Sequence, residues 1–313
     1  MITTEFYPGQ GLGNQLWLYA VVRAIAHKNN YEWGIQSPNV FKGRTFLKLD
    51  MGKKVIGIRS SIPRNIKPFG VKQIFKESRL VHAQEKYDIT PFQKDILRIE
   101  DKTKIDGVFQ CEDYILPIRK ILTEEFTIND KSLGSRGICY IHFRGGDFAP
   151  HPTLLLNKKY YEAAIRKILS LEPKIEFRVI TNDTALAREY FPGFMIESNF
   201  MDGEVQSGPS VNLDSRIGED FRKLQNSEYL IISNSSFSWW AAWTNSNAKA
   251  VIAPKYWARH NANDGFWSTG SILTRGWIYV SATGEIQSYS QCFEEDAIFK
   301  NSREYLENVL WID

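Results

Sequence analysis

Several signals are missing from this sequence of 313 residues. It has three cysteines, Cys111, Cys139 and Cys292, and no Cys-x-x-Cys pair. An odd number of widely spaced cysteines argues against a disulfide framework and a zinc site, so a reducing compartment is expected. The longest apolar run, Leu16 to Ala26, is interrupted by Arg23 and is too short to span a bilayer.

The sequence also lacks targeting and nucleic-acid signals. The N-terminus has no basic segment followed by an apolar one, so no secretory signal is expected. Net charge is +3, and Lys and Arg are scattered rather than gathered in a stripe, which argues against a nucleic-acid partner. We therefore expect a cytoplasmic protein, with any membrane contact made through its substrate, and a small anionic ligand.

Aromatic residues, by contrast, are abundant, at 13 % of the chain with nine Trp. Flat rings stack on the C–H faces of sugars, so this composition leans towards carbohydrate handling, although a single Trp is more typical of a core. Hydrophobic residues make up 43 % and charged residues 24 %, which is ordinary for a chain that buries a core.

Alternating strand and helix patterns predict an α/β protein. The second half has apolar strands at Ile138–Phe143, Phe177–Thr181, Tyr229–Ser233 and Ala250–Ala253, with helical patterns between them, the clearest at Asn157–Leu171. Such alternation favours a parallel, doubly wound sheet.

The first half is less regular. It opens with a strand in residues 1–8, a glycine-rich turn and a helix from Gln15 to Lys28, but residues 35–105 give few signals. Gly107–Gln110 is predicted as a strand, Asp113–Glu124 as a helix and Glu294–Leu310 as a terminal helix. The small, polar stretch Ser132–Gly137 predicts a boundary between domains 1–135 and 136–313.

Three polar segments fall at predicted strand ends, where ligands bind in an open parallel sheet. The first is Gly9–Gln15 (GQGLGNQ), whose glycines and following helix N-terminus would let an anion approach backbone N–H groups. Asn14 stands at the third glycine position of the dinucleotide pattern G-x-G-x-x-G, so that pattern is not met. A plain tight turn is the alternative.

The second segment is His142–Asp147 (HFRGGD). Arg144, beside two glycines, suits bidentate binding of a phosphate. Asp147 is a candidate general base, and the alternative is an ion pair with Arg144 or His142. His142 and His151, which lies in the same loop, are further candidates for proton transfer, although a buried histidine is more often part of the core.

The third segment, Ser233–Trp240 (SNSSFSWW), places four serines and an amide between a strand and a helix. One serine is enough to cap a helix, so four favour binding of phosphate oxygens at the helix N-terminus. Thr181–Asp183 (TND), at another strand end, either caps the following helix or hydrogen-bonds a base or ribose.

In their order and spacing, Gly11–Gln15, His142–Asp147, Thr181–Asp183 and Ile232–Trp240 together resemble the alpha-1,2-fucosyltransferase family of bacteria and animals. They resemble the alpha-1,6- and protein O-fucosyltransferases more distantly. The resemblance implies a GT-B-like architecture of two Rossmann-like, doubly wound domains with the active site in the cleft between them. It implies an inverting enzyme that moves L-fucose from GDP-beta-L-fucose to a hydroxyl of a glycan acceptor, in alpha-1,2 linkage.

The resemblance also implies roles for individual residues. Arg144 would hold the diphosphate, with Asp183 near the guanine or ribose. The remaining residues of the implied GDP-fucose site are Gly11, Gly13, Asn14, His142, Ser235, Ser236 and Phe237. One position departs from the family pattern, usually His-x-Arg-Arg-Gly-Asp, because Gly145 replaces the second arginine.

This departure leaves two alternatives to fucose transfer open. They are transfer of another sugar from another nucleotide, and a non-catalytic nucleotide- or glycan-binding module. The sequence also lacks the Asp-x-Asp triplet that commonly holds a divalent ion against a sugar-nucleotide diphosphate. We therefore expect cationic and N–H donors to neutralise the diphosphate, with neither a metal nor another cofactor.

Overall fold

The computed structural model describes residues 1–55, 70–82, 88–128, 135–197, 211–255, 257 and 273–312. Within these ranges the strands form three sheets. In chain order the helices and strands are β1 Ile2–Glu5, α1 Leu12–Asn29, β2 Trp33–Gln36, β3 Gln73–Lys76, β4 Arg79–His82, β5 Asp88–Ile89, β6 Thr103–Asp106, α2 Arg119–Phe126, β7 Ser135–Phe143, α3 Lys158–Leu171, β8 Glu176–Thr181, α4 Thr184–Tyr190, β9 Met195–Ile196, α5 Val211–Gln225, β10 Ser227–Ile231, α6 Ser236–Trp243, β11 Ala250–Pro254, β12 Ile278–Val280, β13 Ile286–Ser288, α7 Tyr289–Lys300, α8 Arg303–Asn308 and β14 Val309–Ile312.

The first sheet has four parallel strands in the order β2-β1-β6-β3. Its strand β1 is buried along its whole length and leads into the glycine-rich turn before α1. α1 is buried on nearly all sides between Leu12 and Ala26, as expected for a helix enclosed by other elements. Because β1 and β6 are parallel neighbours, the turn after β1 lies beside residues 107–110, which follow β6.

The second sheet has seven strands in the order β13-β12-β11-β10-β7-β8-β9, parallel except where β13 pairs with β12. From β9 to β12 this is the doubly wound order 3-2-1-4-5-6, which reverses direction between β7 and β10. Ligands bind at such a reversal, beyond the carboxyl ends of the strands. The loops after β7 and β10 carry His142–Asp147 and Ser233–Trp240, so the fold itself places two of the predicted segments together.

The two parallel sheets share one hydrophobic core. α1 packs directly on α6, with ring centroids 4.3 Å apart for Trp17 and Trp239 and 4.7 Å apart for Trp17 and Trp240. A second cluster, around Ile141 and Tyr160, covers the other face of the seven-stranded sheet. These buried tryptophans are part of the core, which is the role that is more typical of a single Trp.

The third sheet is small and antiparallel, in the order β14-β4-β5. It joins the last strand of the chain to a segment of the first half. The proposed division at residues 135 and 136 stays a prediction, and residues 132–134 of the predicted boundary lie outside the described residues.

The α/β class and the GT-B-like arrangement of two parallel sheets are confirmed, but three predicted elements differ. Gly107–Gln110 is a loop, because the strand ends one residue earlier at Asp106. The helix predicted at Asp113–Glu124 begins only at Arg119, after 3-10 turns around Pro117, which lacks an N–H for helical hydrogen bonding.

The predicted terminal helix Glu294–Leu310 is also divided. α7 ends at Lys300, α8 follows, and Val309–Ile312 form strand β14 on β4. A β-branched and aromatic run suits a strand once a partner edge is available. Across the described ranges, no helix is both long and apolar enough to cross a membrane.

Candidate active site

A cavity of about 860 Å³ lies where the strand ends of the two parallel sheets meet. Its volume is within the usual range for a small-molecule site. The first half contributes, among others, Gly11, Gly13, Asn14, Lys42, Arg79, Thr90, Val108 and Gln110. The second half contributes, among others, His142, Arg144, Asp147, Asn182, Asp220, Ser235, Ser236, Phe237 and Trp257.

Most residues predicted for the site therefore line one cavity. The two exceptions are Asp183 and His151, which are not among its lining residues. Asp183 lies just behind the wall, and His151 is exposed in the loop after Asp147.

Two helices begin at this cavity. The N-cap residues of α1 and α6, Gly11 and Ser235, make no side-chain capping hydrogen bond. A helix N-terminus carries partial positive charge and unpaired N–H groups, so two of them at one cavity favour an anionic ligand.

The starts of α1 and α6 are in direct contact through Gly13. A Cβ atom added there would lie 2.4 Å from the Ser236 carbonyl carbon and 2.6 Å from the Phe237 nitrogen. Trp240 Nε1 donates to the Gly13 carbonyl oxygen at 3.1 Å. The glycine is required because no side chain fits between the two helices.

Arg144 and Asp147 form a bidentate ion pair at the end of β7. Arg144 Nε and a terminal nitrogen donate to the two oxygens of Asp147 at 2.8 and 2.9 Å. Asn182 Nδ2 also donates to Asp147, at 3.2 Å. Burial pushes the pKa of Asp147 upwards, but the hydrogen bonds and charge of Arg144 outweigh it and lower the pKa.

His142 lines the cavity but is largely buried, with 5 % of its surface exposed. Its Nδ1 lies 2.7 Å from Ser233 Oγ. Burial, helped by the positive charge of Arg144, lowers the pKa of His142 to about 3. The ring is therefore neutral near pH 7, and its hydrogen bond to Ser233 ties β7 to the serine-rich turn.

The serine-rich turn divides into structural and cavity-facing groups. Ser238 Oγ donates to the Ser235 carbonyl at 3.2 Å, and Asn234 Nδ2 donates to the carbonyls of Leu154 and Trp257 at 2.8 and 3.0 Å. Ser233 is hydrogen-bonded to His142, and the serines that line the cavity are Ser235 and Ser236. The serines beyond the one needed for capping therefore stabilise the turn as well as line the cavity.

Gly145, the departure from the family pattern, is tightly enclosed. A Cβ atom there would lie 2.6 Å from Asp183 Cβ and 2.9 Å from Asp183 Oδ2. Asp183 accepts from the Gly146 amide at 3.0 Å and caps α4 through the Leu186 amide at 3.0 Å. An arginine at position 145 would have to displace this aspartate.

Sequence reasoning missed several cavity residues, among them Lys42, Arg79, Asp220 and Gln110. Gln110 Nε2 donates to Asn14 Oδ1 at 3.0 Å. Gln110 could have been found because it follows the end of a strand, but Gly107–Gln110 was predicted to be the strand itself. Within the ranges described, no group of three His, Cys, Asp or Glu side chains is placed to hold a metal ion.

Comparison with protein families decides what kind of protein carries this cavity. The model of a family described as glycosyl transferase family 11 matches residues 10–281. The chain belongs to glycosyl transferase family 11. It is therefore a fucosyltransferase-like glycosyltransferase, and the resemblance predicted from the motifs is confirmed. The family 11 match covers the lining residues of the cavity from Gly11 to Trp257, and Gly9 lies one residue before it.

Two Escherichia coli proteins are related to this family 11 chain. An alpha-1,2-colitosyltransferase is 26 % identical over 272 residues, covering 79 % of this chain and 89 % of that protein. The O-antigen biosynthesis glycosyltransferase WbnK is 30 % identical over 179 residues, covering 52 % of this chain and 54 % of that protein. Among solved structures, the NodZ alpha-1,6-fucosyltransferase soaked with GDP-fucose is 12 % identical, with a TM-score of 0.42 and coverage of 80 % of this chain and 93 % of that chain.

Proposed function

We propose that this chain transfers L-fucose from GDP-beta-L-fucose to a hydroxyl of a glycan acceptor, with inversion and in alpha-1,2 linkage. One observation carries the proposal: Arg144 and the uncapped starts of α1 and α6 converge on one cavity in a family 11 chain. A guanidinium and two helix N-termini suit a diphosphate, which is the invariant part of such a donor.

The proposed donor is beta-linked and the proposed product is alpha-linked, so the reaction inverts the anomeric carbon. In a single displacement, the acceptor oxygen bonds to the anomeric carbon as the bond from that carbon to the phosphate oxygen breaks, and the hydroxyl proton passes to an oxygen of the departing phosphate. GDP leaves with the bonding electrons, so negative charge grows on its terminal phosphate. Arg144 and the N–H groups of α6 are preorganised donors of the kind that stabilise such charge, which supports a reaction that requires no metal.

The acceptor would enter from the first half. Arg79, Thr90 and Val108 line that side of the cavity and offer a cation, a hydroxyl and an apolar surface. A glycan presents the complementary hydroxyls and C–H faces. The alpha-1,2 linkage rests on the family resemblance and on the linkage named for the colitosyltransferase relative.

A second donor is favoured by that same relative. Colitose is fucose without its 3-hydroxyl, so GDP-colitose has the same diphosphate and guanosine as GDP-fucose. Gly145 in place of the usual arginine is a difference on the donor side of the cavity. Both GDP-fucose and GDP-colitose should be tested in the first transfer assay. Transfer of colitose but not of fucose would identify colitose as the transferred sugar.

Nucleotide binding gives the first test. A ligand present at 100 times its Kd stabilises the folded state by about 2.7 kcal/mol, so GDP should raise the Tm measurably. UDP, CMP and NAD should leave the Tm unchanged. A shift with UDP alone would contradict a guanosine donor of either kind.

Arg144→Ala gives the second test. Truncating one partner of a buried or ligand-facing charge pair typically costs about 2–5 kcal/mol, so transfer from labelled GDP-fucose should nearly vanish while the Tm without ligand is kept. Arg188→Ala removes an exposed arginine from α4 and is the matched control. Near-normal transfer by Arg144→Ala would place the diphosphate elsewhere.

A further inference from the structure

Asn14 receives two hydrogen bonds on the same atom. Its Oδ1 accepts from Ser236 Oγ at 2.9 Å and from Gln110 Nε2 at 3.0 Å. A carbonyl oxygen has two lone pairs, so both are used within the protein. The side-chain nitrogen, with two hydrogens, has no acceptor among the described residues, and Asn14 lines the cavity.

Gln110 lies on a loop that is held in an unusual shape. Glu77 accepts from the amides of Val108 and Phe109 at 2.6 and 2.9 Å. Phe109 has a φ of 49°, a left-handed conformation that is uncommon for a bulky residue. Strained backbone of this kind is retained where surrounding contacts enforce it, often beside a functional site.

The approach of Glu77 depends on a second glycine. A Cβ atom at Gly107 would lie 2.5 Å from Glu77 Cβ and 2.6 Å from Glu77 Oε2. Glu77 is itself 8 % exposed and follows β3, the strand beside β6. The Gln110 side chain is directed towards Asn14 by the buried Glu77 carboxylate, by Gly107 and by the left-handed backbone conformation of Phe109.

We propose that Gln110 is a positioning residue that orients the Asn14 amide, so that Asn14 Nδ2 donates into the cavity to an oxygen of the sugar-nucleotide donor. Without the donor from Gln110, the amide can rotate and present its oxygen to the ligand. An oxygen facing a diphosphate repels it, whereas an N–H group binds it. The inference rests on the proposed function, because it takes a guanosine-diphosphate sugar as the ligand.

Gln110→Glu is the informative variant, since a carboxylate accepts hydrogen bonds but cannot donate to Asn14 Oδ1. We expect it to weaken binding of GDP-fucose about tenfold, the order of one hydrogen bond lost with a reversed dipole, as measured by isothermal titration calorimetry. Gln110→Ala should give a smaller loss and serves if the charged variant fails to fold. Gln73→Glu adds the same charge at an exposed position on β3 and should bind as the wild type does.

The effect must pass through Asn14. In an Asn14→Ala background, the neutral variant Gln110→Ala should change GDP-fucose affinity by less than about twofold, because residues acting through one contact are not additive. The neutral variant is used here because Gln110 also lines the cavity, where a carboxylate would repel the diphosphate directly. Wild-type affinity in Gln110→Glu, or full additivity of Gln110→Ala with Asn14→Ala, would overturn the positioning role. Absence of GDP and GDP-fucose binding by the wild type would instead overturn the proposed function, and this inference with it.

Discussion

Gly13 offers the sharpest test of how the two halves meet. Replacing it with alanine puts a methyl group 2.4 Å from a backbone carbon and 2.5 Å from the hydroxyl oxygen of Ser236. The nearest atoms include backbone at the start of α6, so a side-chain rotation cannot relieve the contact. Reaching an ordinary contact of 3.4 Å requires α1 and α6 to separate by about 1 Å.

That displacement has two measurable effects. Overpacking in a dense interior costs about 1–3 kcal/mol, so the free energy of unfolding in urea should fall by that amount. The shift also moves the α6 N–H groups and Ser236 relative to Arg144. A misplacement of about 1 Å can cost about 10²-fold in rate, so kcat/KM for transfer from GDP-fucose should fall by roughly that factor.

Gly11→Ala is the matched control for stability. Gly11 belongs to the same turn, has a φ of −68° that any residue adopts, and has no atom within 4 Å of an added Cβ. The free energy of unfolding of Gly11→Ala should stay within about 1 kcal/mol of the wild type, because alanine caps a helix less well than glycine but restricts the unfolded chain. Equal unfolding energies for the Gly11 and Gly13 variants would refute the close approach of α1 and α6.

Three further outcomes are expected. Asp147→Asn should lower GDP affinity and kcat together, because the bidentate support of Arg144 is lost; a fall in kcat alone of about 10²–10⁴ would instead identify Asp147 as a general base. Transfer should continue at full rate in excess EDTA, and a loss restored by manganese would show that a metal neutralises the diphosphate. Burial raises the pKa of Glu77 from 4.5 to about 7, although hydrogen bonds from two backbone amides oppose this shift. The protonated Glu77 side chain therefore contributes its full stabilisation below pH 4.5, and this stabilisation is lost as the pH rises through 7. Relative to Glu77→Gln, the wild type should therefore lose up to about 3 kcal/mol of unfolding free energy between pH 4.5 and 8, and a difference independent of pH would contradict the burial of this carboxyl.

The sequence predicted elements with strong local signals well. The helix predicted from Asn157 to Leu171 is α3, which begins one residue later because Asn157 is its N-cap and accepts from the Tyr160 amide at 3.0 Å. Most of the predicted terminal helix is helical, in α7 and α8, but its end was predicted wrongly because β14 depends on β4, more than 220 residues away in sequence. Pairing at that distance leaves no periodic pattern in a single sequence.

The residues of the candidate site divide in the same way, into those with a local sequence signal and those placed by distant contacts. Arg144, Asp147 and the serine-rich turn follow strands in a regular α/β pattern, so the rule for strand ends located them. Gln110 and Glu77 could not be located, because their roles depend on contacts across the first half. Gln110 reaches Asn14 across 96 positions, and Glu77 reaches Phe109 across 32.

The positions of the acid–base candidates bear on how the acceptor loses its proton. A general base works best with a pKa near the working pH. The pKa of His142 is about 3 because the ring is buried, and the pKa of Asp147 is lowered by its pairing with Arg144. His151 is exposed and outside the cavity lining. Among the predicted candidates, none combines a suitable pKa with a place in the cavity, which supports transfer of the proton to an oxygen of the departing phosphate. In that case the protein's contribution is the stabilisation of charge by Arg144 and the helix N-termini, and the pairing of Asp147 with Arg144 serves to hold that cation in place.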